Sequence, residues 1–308
     1  MKVYHGLESF VKRNNAVVTT GTFDGVHIGH RTILKRLLEI TRKNKGESVL
    51  LTFYPHPRMV LNPDSDLQLI NSIEEKTILL KKAGIDHLII HPFTKDFSRT
   101  TSLEFVRDIL VNQIGTKKLV IGYDHHFGRN REGSFEHLKE FGPLYGFEVE
   151  EIPAQDIDDV NVSSTKIRNA LLAGDILTAN HYLGHRFSLS GKVVKGIQLG
   201  RTLGFPTANI AVSSKYKIIP ADGVYAVKVT INKIPYDGML NIGIRPSIEG
   251  STNKTIEVHI LDFKKDIYGD ELELNFIQRI RDEKKFNSKE DLINELKKDR
   301  VKVEKILQ

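Results

Sequence analysis

The sequence predicts an α/β chain in two parts. Residues 1–183 read as a parallel sheet with helices on both faces, and residues 184–308 as a small closed antiparallel β-barrel with a terminal helix. Two observations predict this. From residue 16 to 152, short apolar runs alternate with amphipathic ones, the pattern of right-handed βαβ crossovers. After about residue 184 the runs become short and alternating, separated by Gly, Pro, Asn and Asp clusters, the pattern of antiparallel hairpins.

The strand candidates of the first part are "AVVTT" (16–20), "SVLLTFY" (48–54), "HLIIH" (87–91), "KLVIGY" (118–123) and "FEVEEI" (147–152). "SVLLTF" and "HLIIH" are nearly continuous apolar runs, as expected of strands covered on both faces. The first helix follows from Ile33, Leu34, Leu37 and Leu38, which fall on one helical stripe. Ser72 and Glu75 form a capping box ahead of "IEEKTILLKKAG", and Gly84 is placed to end that helix. Ser102 is placed to cap "LEFVRDILVNQ". Residues 164–183 read as two short helices closing the first part. In the second part "GVYAVKVTIN", "KTIEVHILDF" and "DELELNF" alternate. Ser288 caps a last helix carrying Leu292, Leu296, Val303 and Leu307.

A chain of 308 residues suits two ordinary domains. The absence of cysteine excludes disulfides and thiolate metal sites. No apolar run approaches the roughly 20 residues of a membrane helix. "MKVYHGLESF" has no apolar secretory core. The expectation is a soluble, cytoplasmic protein without a membrane partner. The net charge of +6 fits either a solvated lysine-rich surface or an anionic partner. Lys and Arg are scattered, with no basic stripe and no aromatic base-stacking surface, so nucleic acid is not the expected partner. Steeply salt-dependent RNA affinity would favour that rival. Composition leaves the oligomeric state open.

The stretch "GTFDGVHIGHR" (21–31) joins the first strand to the first helix. In an open parallel sheet, ligands bind beyond the C-terminal strand ends, where this turn lies. Gly21 and Gly25 let backbone approach a ligand, and the N–H groups of a helix start attract an anion. His27 and His30 add donors that can follow charge developing on a phosphate. A second helix start, "NVSSTKIRNAL" (161–171), supplies Ser163, Ser164 and Thr165, then Lys166 and Arg168, suited to a leaving pyrophosphate. Neither a Walker A loop nor GxGxxG is present, which disfavours a P-loop NTPase and a dinucleotide dehydrogenase. "FYPHPR" (53–58) follows the second strand. His56 there reads as structural by itself and as ligand-lining by its place at the same sheet edge.

The second part opens with "SGKVVKGIQLGRTLGFPTANI" (190–210). Gly196, Gly200 and Gly204 with Arg201 describe a loop able to wrap phosphates. Thr207 and Asn209, two residues apart, are hard oxygen donors of the kind Mg²⁺ prefers. In "TIEVHILDF", Ile256, Val258 and Ile260 face the core, and Glu257 and His259 face the other way. Glu257 can accept the proton of an attacking hydroxyl.

Taken together, "GTFDGVHIGH", "FYPHPR", "IGYDHHFGRNREG" (121–133) and "VSSTKIR" resemble the N-terminal half of bacterial bifunctional riboflavin kinase/FAD synthetases, a branch of the nucleotidylyltransferases. "GRTLGFPTANI", "PADGVYAVKV", "NIGIRPS", "IEVHILDFKKDIYGDEL" and "RIRDEKKFNSKEDL" resemble the riboflavin kinase domain. The resemblance covers almost the whole chain. It implies a Rossmann-like nucleotidylyltransferase domain (1–183) that transfers adenylyl from ATP to FMN, releasing pyrophosphate. It also implies a kinase barrel (184–308) that phosphorylates riboflavin. On it, His27 and His30 contact the ATP phosphates within the motif of Gly21 and Phe23, and Ser164, Thr165 and Arg168 hold the polyphosphate. His56 and Asp124 lie toward the flavin, and His125 stands where many members carry Phe. In the barrel, Thr207 and Asn209 bind Mg-ATP beside Gly196, Gly200 and Arg201, and Glu257 is the base. Arg281 and Phe286 lie at the flavin end, and Ser247 stands where Thr is commoner. The expected small molecules are ATP, Mg²⁺, riboflavin, FMN and FAD. An adenylyltransferase for another phosphate acceptor, with the barrel as a binding module, is the enzyme alternative.

Overall fold

The computed structural model describes residues 1–123, 125–153, 162–196, 198–246 and 252–308. Packing divides the chain into two compact units, Met1–Ser164 and Thr165–Gln308.

The first unit holds β1 (Lys2–His5), β2 (Ala16–Thr20), β3 (Glu47–Tyr54), β4 (His87–Pro92), β5 (Thr116–Gly122) and β6 (Glu148–Ile152). All pair in parallel, in the order β1-β4-β3-β2-β5-β6. The chain builds outward through β2, β3 and β4, then crosses back to β5 and β6. The strand order therefore reverses between β2 and β5, and a crevice opens beyond their C-terminal ends. Side chains alternate between two cores, as a period of two requires. Val18, Leu51, Ile89, Leu119 and Ile121 enter one core. Val17, Leu50, Leu88, Ile90 and Val120 enter the other.

Every strand expected in this unit is present to within two residues at either end. The edge strand β1 was not expected, because "KVYH" is mostly exposed and has no apolar run. The cap assigned to Ser102 belongs to Thr101, which accepts from Glu104 N while the Glu104 carboxylate takes Thr101 N. Ser102 is the first helical residue, and a π-helical stretch Phe105–Ile114 follows, ended by Gly115. At the opposite, N-terminal end of the strands, polar groups are stitched together. The buried His87 ring lies between Tyr4 Oη (3.1 Å) and Glu47 Oε1 (3.1 Å). Arg13 Nε sits 3.5 Å from the Glu47 carboxylate. Beside them Ser48 N and Oγ donate to Asp86, whose own N–H donates back to Ser48 Oγ.

The second unit is the expected closed barrel, built from β7 (Ser188–Val194), β8 (Ala208–Val212), β9 (Gly223–Ile231), β10 (Ile234–Pro246), β11 (Thr252–Ile260) and β12 (Glu271–Arg281). All pairings are antiparallel, and β9 closes the circle by pairing with both β10 and β12. β9 and β10 join through Asn232 and Lys233, both at positive φ (48° and 69°), as a tight hairpin turn of that hand requires. The terminal helix Lys289–Leu307 is capped by Ser288, which accepts from Asp291 N at 3.1 Å. Its Val303, with Leu296 and Ile306, packs on Phe205, Val224 and Met239. A buried ion pair fixes it further: Arg281 Nε and Nη2 lie 2.9 and 2.8 Å from the fully buried Asp299.

The helices Ser164–Ala173 and Ile176–Leu183, expected to close the first part, bond instead to the barrel. Asn180 Nδ2 donates to Phe276 O at 2.9 Å and its Oδ1 accepts from Phe187 N at 2.7 Å. Leu171 O accepts from Ala221 N at 3.1 Å. These bonds place the packing division before Thr165, earlier than the 183/184 boundary read from composition.

Candidate active sites

The turn after β2 presents two histidines at the β2/β5 crevice. His27 is the N-cap of the helix Ile28–Lys43, and its Nδ1 accepts from His30 N at 3.4 Å. This bond stacks the two imidazoles, with centroids 3.6 Å apart and planes 19° off parallel. Burial, then His27 and Lys76, hold the His30 pKa well below its ordinary value, so the ring is neutral at neutral pH. Its Nδ1 is enclosed and makes no hydrogen bond among the described residues.

Gly21 donates its N–H to Leu51 O at 3.1 Å, which fixes the turn to β3. The Phe23 ring is not offered to a ligand. It is 3% exposed and supports the His30 ring from 4.8 Å. Ser164 Oγ, at the end of the first unit, donates to Asp24 O of the turn at 2.9 Å. Thr165 and Arg168 continue the helix Ser164–Ala173, Thr165 exposed and Arg168 half-buried. His56 follows β3 and caps the short helix Pro57–Leu61, accepting from Arg58 N at 3.1 Å. That is the structural role its sequence context allowed, at the C-terminal edge of the sheet. Asp124 lies outside the described residues. So does Ser247.

Sequence reasoning missed two groups here. Asp24 is 1% exposed and its carboxylate accepts from Ile70 N (3.0 and 3.2 Å) and Asn71 N (3.2 Å). Lys76 is 6% exposed and donates from Nζ to Thr22 O at 2.7 Å. A signal existed, since Lys76 stands one turn before the buried Leu80, on the inward stripe of the helix Ile73–Ala83.

Two cavities of the barrel meet at Thr207. One, about 320 Å³, is lined by apolar side chains such as Met239, Phe286 and Leu296 and by polar groups that include Asn241, Glu257, Arg281, Glu283 and Lys284. The other, about 460 Å³, is lined by Arg201, Lys264, Lys265, Phe263 and Tyr268. Thr207 borders both and donates from Oγ1 to Glu257 Oε2 at 3.1 Å. Asn209 is paired with Glu257 across the β8–β11 ladder. Gly196 and Gly200 serve this cluster by lacking a side chain. A Cβ on Gly196 would meet Asn209 Nδ2 at 2.2 Å, and one on Gly200 would meet Phe205 O at 2.3 Å and Thr207 Oγ1 at 3.3 Å. His259, on the same strand face as Glu257, is buried rather than open. Its Nδ1 lies 2.8 Å from Pro206 O, and burial lowers its pKa. The Arg281 guanidinium, expected near the flavin, borders the first cavity but is engaged by Asp299, with its centre 5.9 Å from the Phe286 ring centroid.

A parallel-sheet unit with stacked histidines at its switch point, followed by a barrel whose two cavities meet at a threonine bonded to a carboxylate, defines a two-site enzyme that handles phosphoryl groups. Residues 10–166 match the FAD synthetase family model and residues 183–307 the riboflavin kinase model. The chain belongs to the bifunctional riboflavin kinase/FAD synthetase family and is an enzyme with both activities. It is 36% identical to the bifunctional riboflavin kinase/FMN adenylyltransferase of Buchnera aphidicola, over 99% of this chain and 98% of that one. It is 35% identical to the protein of that description from Escherichia coli K12, over 98% and 96%. A Streptococcus pneumoniae crystal structure described as a macrolide-efflux protein superposes with a TM-score of 0.89 at 32% identity, covering 97% of each chain. No helix among the described residues is long and apolar enough to cross a membrane.

Proposed function

We propose that residues 184–308 phosphorylate riboflavin and residues 1–183 adenylylate the FMN that results. The observation that carries the kinase assignment is Thr207, which borders both barrel cavities while bonded to Glu257. The larger cavity, with Arg201, Lys264 and Lys265 in its wall, suits ATP, and the smaller, with Met239, Phe286 and Leu296, suits the isoalloxazine ring. The riboflavin 5′-hydroxyl then meets the γ-phosphorus beside Glu257. Glu257 takes the hydroxyl proton, the new P–O bond forms, and ADP leaves. In the first unit a phosphate oxygen of FMN attacks the α-phosphorus of ATP, and pyrophosphate leaves. His27 and His30 donate to phosphate oxygens as charge develops, and Ser164, Thr165 and Arg168 hold the leaving group. No protein nucleophile is required.

Thr207, bonded to Glu257, and Asn209, opposite Glu257 on the neighbouring strand, carry hard oxygen donors of the kind that fits Mg²⁺. Thr207 and Asn209 would hold the ion, which supplies charge neutralisation on the nucleotide phosphates. Cytoplasmic location and small-molecule rather than nucleic-acid partners complete the reading. The test is incubation with riboflavin and Mg-ATP, with separation of riboflavin, FMN and FAD over time. FMN should rise first and FAD follow, and chelation of Mg²⁺ should stop both. Absence of FMN would refute the kinase assignment, and FMN without FAD would refute the adenylyl-transfer one.

A further inference from the structure

We propose that Lys76 is a positioning residue for adenylyl transfer, acting through Thr22 to hold the turn from which His27 and His30 are presented. The inference rests on the assignment of that turn to adenylyl transfer. The turn carries two non-glycine residues in the left-handed region, Phe23 at φ 46° and Val26 at φ 41°. For a β-branched valine this conformation is costly, and it persists only where neighbours over-determine it. Two struts do so. Lys76 Nζ donates to Thr22 O at 2.7 Å, just before Phe23. The Asp24 carboxylate, between Phe23 and Val26, accepts from Ile70 N and Asn71 N. Both struts lead to one segment: Ile70 and Asn71 run straight into the capping box of Ser72 and Glu75, which starts the helix bearing Lys76.

Lys76 and Asp24 are both buried, and they attract one another. Burying an ammonium is expensive, and an apolar side chain would fill the same stripe position without that cost. A methionine there would pack but could not hold Thr22 O. The predicted consequence is a shifted turn with misaligned imidazoles.

The test compares Lys76→Met, Lys76→Gln and Lys76→Arg in the full chain. FMN adenylylation and riboflavin phosphorylation are measured on the same samples. Lys76→Met should lower kcat for FAD formation on the order of a hundredfold, the scale of an ångström-sized misplacement. The KM for FMN should stay near the parental value, and riboflavin phosphorylation should be unchanged. Lys76→Arg, which keeps charge and donor, should recover more of kcat than Lys76→Gln, which keeps only a donor. Protease resistance of the first unit reports its fold. A folded Lys76→Met with parental kcat overturns the proposal, as does a change confined to KM or an equal loss of both activities. Loss of the folded unit in both the Met and Gln variants also overturns it, because a positioning residue is dispensable to folding. Parental protein that makes no FAD from FMN and ATP would instead refute the underlying assignment.

Discussion

Asn180→Ala should destabilise the barrel unit and leave the first unit's chemistry intact. Asn180 reaches from the helix Ile176–Leu183 to two main-chain groups, Phe276 O at 2.9 Å and Phe187 N at 2.7 Å. Phe187 and Phe276 are 1% and 0% exposed, so neither main-chain group gains water readily when the amide goes. Removing the amide leaves both main-chain groups unsatisfied, at ~1–3 kcal/mol each. A total of about 3 kcal/mol follows, or a fall in Tm on the order of 10 °C at ~2–4 °C per kcal/mol for a unit of this size. The assay is graded heating of the full chain, with riboflavin phosphorylation and FMN adenylylation read separately after each step. The kinase activity of the variant should disappear at the lower temperature. A fragment 165–308 should phosphorylate riboflavin, whereas 184–308, which lacks Asn180, should be less stable or insoluble. An unchanged kinase inactivation temperature, or two fragments of equal stability, would refute the reasoning.

The remaining expectations concern chemistry and pH. His30→Ala should reduce FAD formation about a hundredfold while FMN formation proceeds normally, since one phosphate donor is lost in one unit only; initial rates with FMN or riboflavin as substrate decide it. Glu257→Gln should do the reverse, slowing riboflavin phosphorylation by about 10²–10⁴-fold and sparing adenylylation of supplied FMN. Acid should destabilise the fold. Burial depresses the pKa of His30, His91 and His259, and brings His125 to about 4. The unfolded chain protonates histidine near ~6.5, so below that pH it binds more protons and stability falls with pH. For His125 alone the loss at pH 5 is about 2 kcal/mol. Denaturant unfolding at pH 7.5 and 5.0 measures it, and equal midpoints would contradict the assignment of neutral buried rings.

Much of this was legible in the sequence because the signals were local. The apolar runs of β2 to β6 are buried strands that need no context, and the Ser72 and Ser288 caps are decided within four residues. β1 and β10 were not legible. β1 has only Val3 and Tyr4 as non-polar residues, and β10 is interrupted by Pro235, Gly238 and Gly243. Their strand state comes from neighbours, β4 for one and both β9 and β11 for the other. The histidine pair was visible as a spacing. Its support was not, since Asp24 and Lys76 act across some fifty residues of chain. The role of Gly196 was also read incompletely, because what excludes a side chain there is the Asn209 amide on the neighbouring strand.

The stitch of Tyr4, Arg13, Glu47 and His87 gives the sheet a foundation remote from its reactive rim. Parallel strands carry every chain start to one rim and every chain exit to the other. Durability and turnover are thereby assigned to different sets of positions. A library confined to residues 2–5, 13, 47, 48, 86 and 87 could be selected for heat resistance alone, with kinetic constants left as inherited. The same library drawn around residues 21–30 would force each gain in rigidity to be weighed against rate.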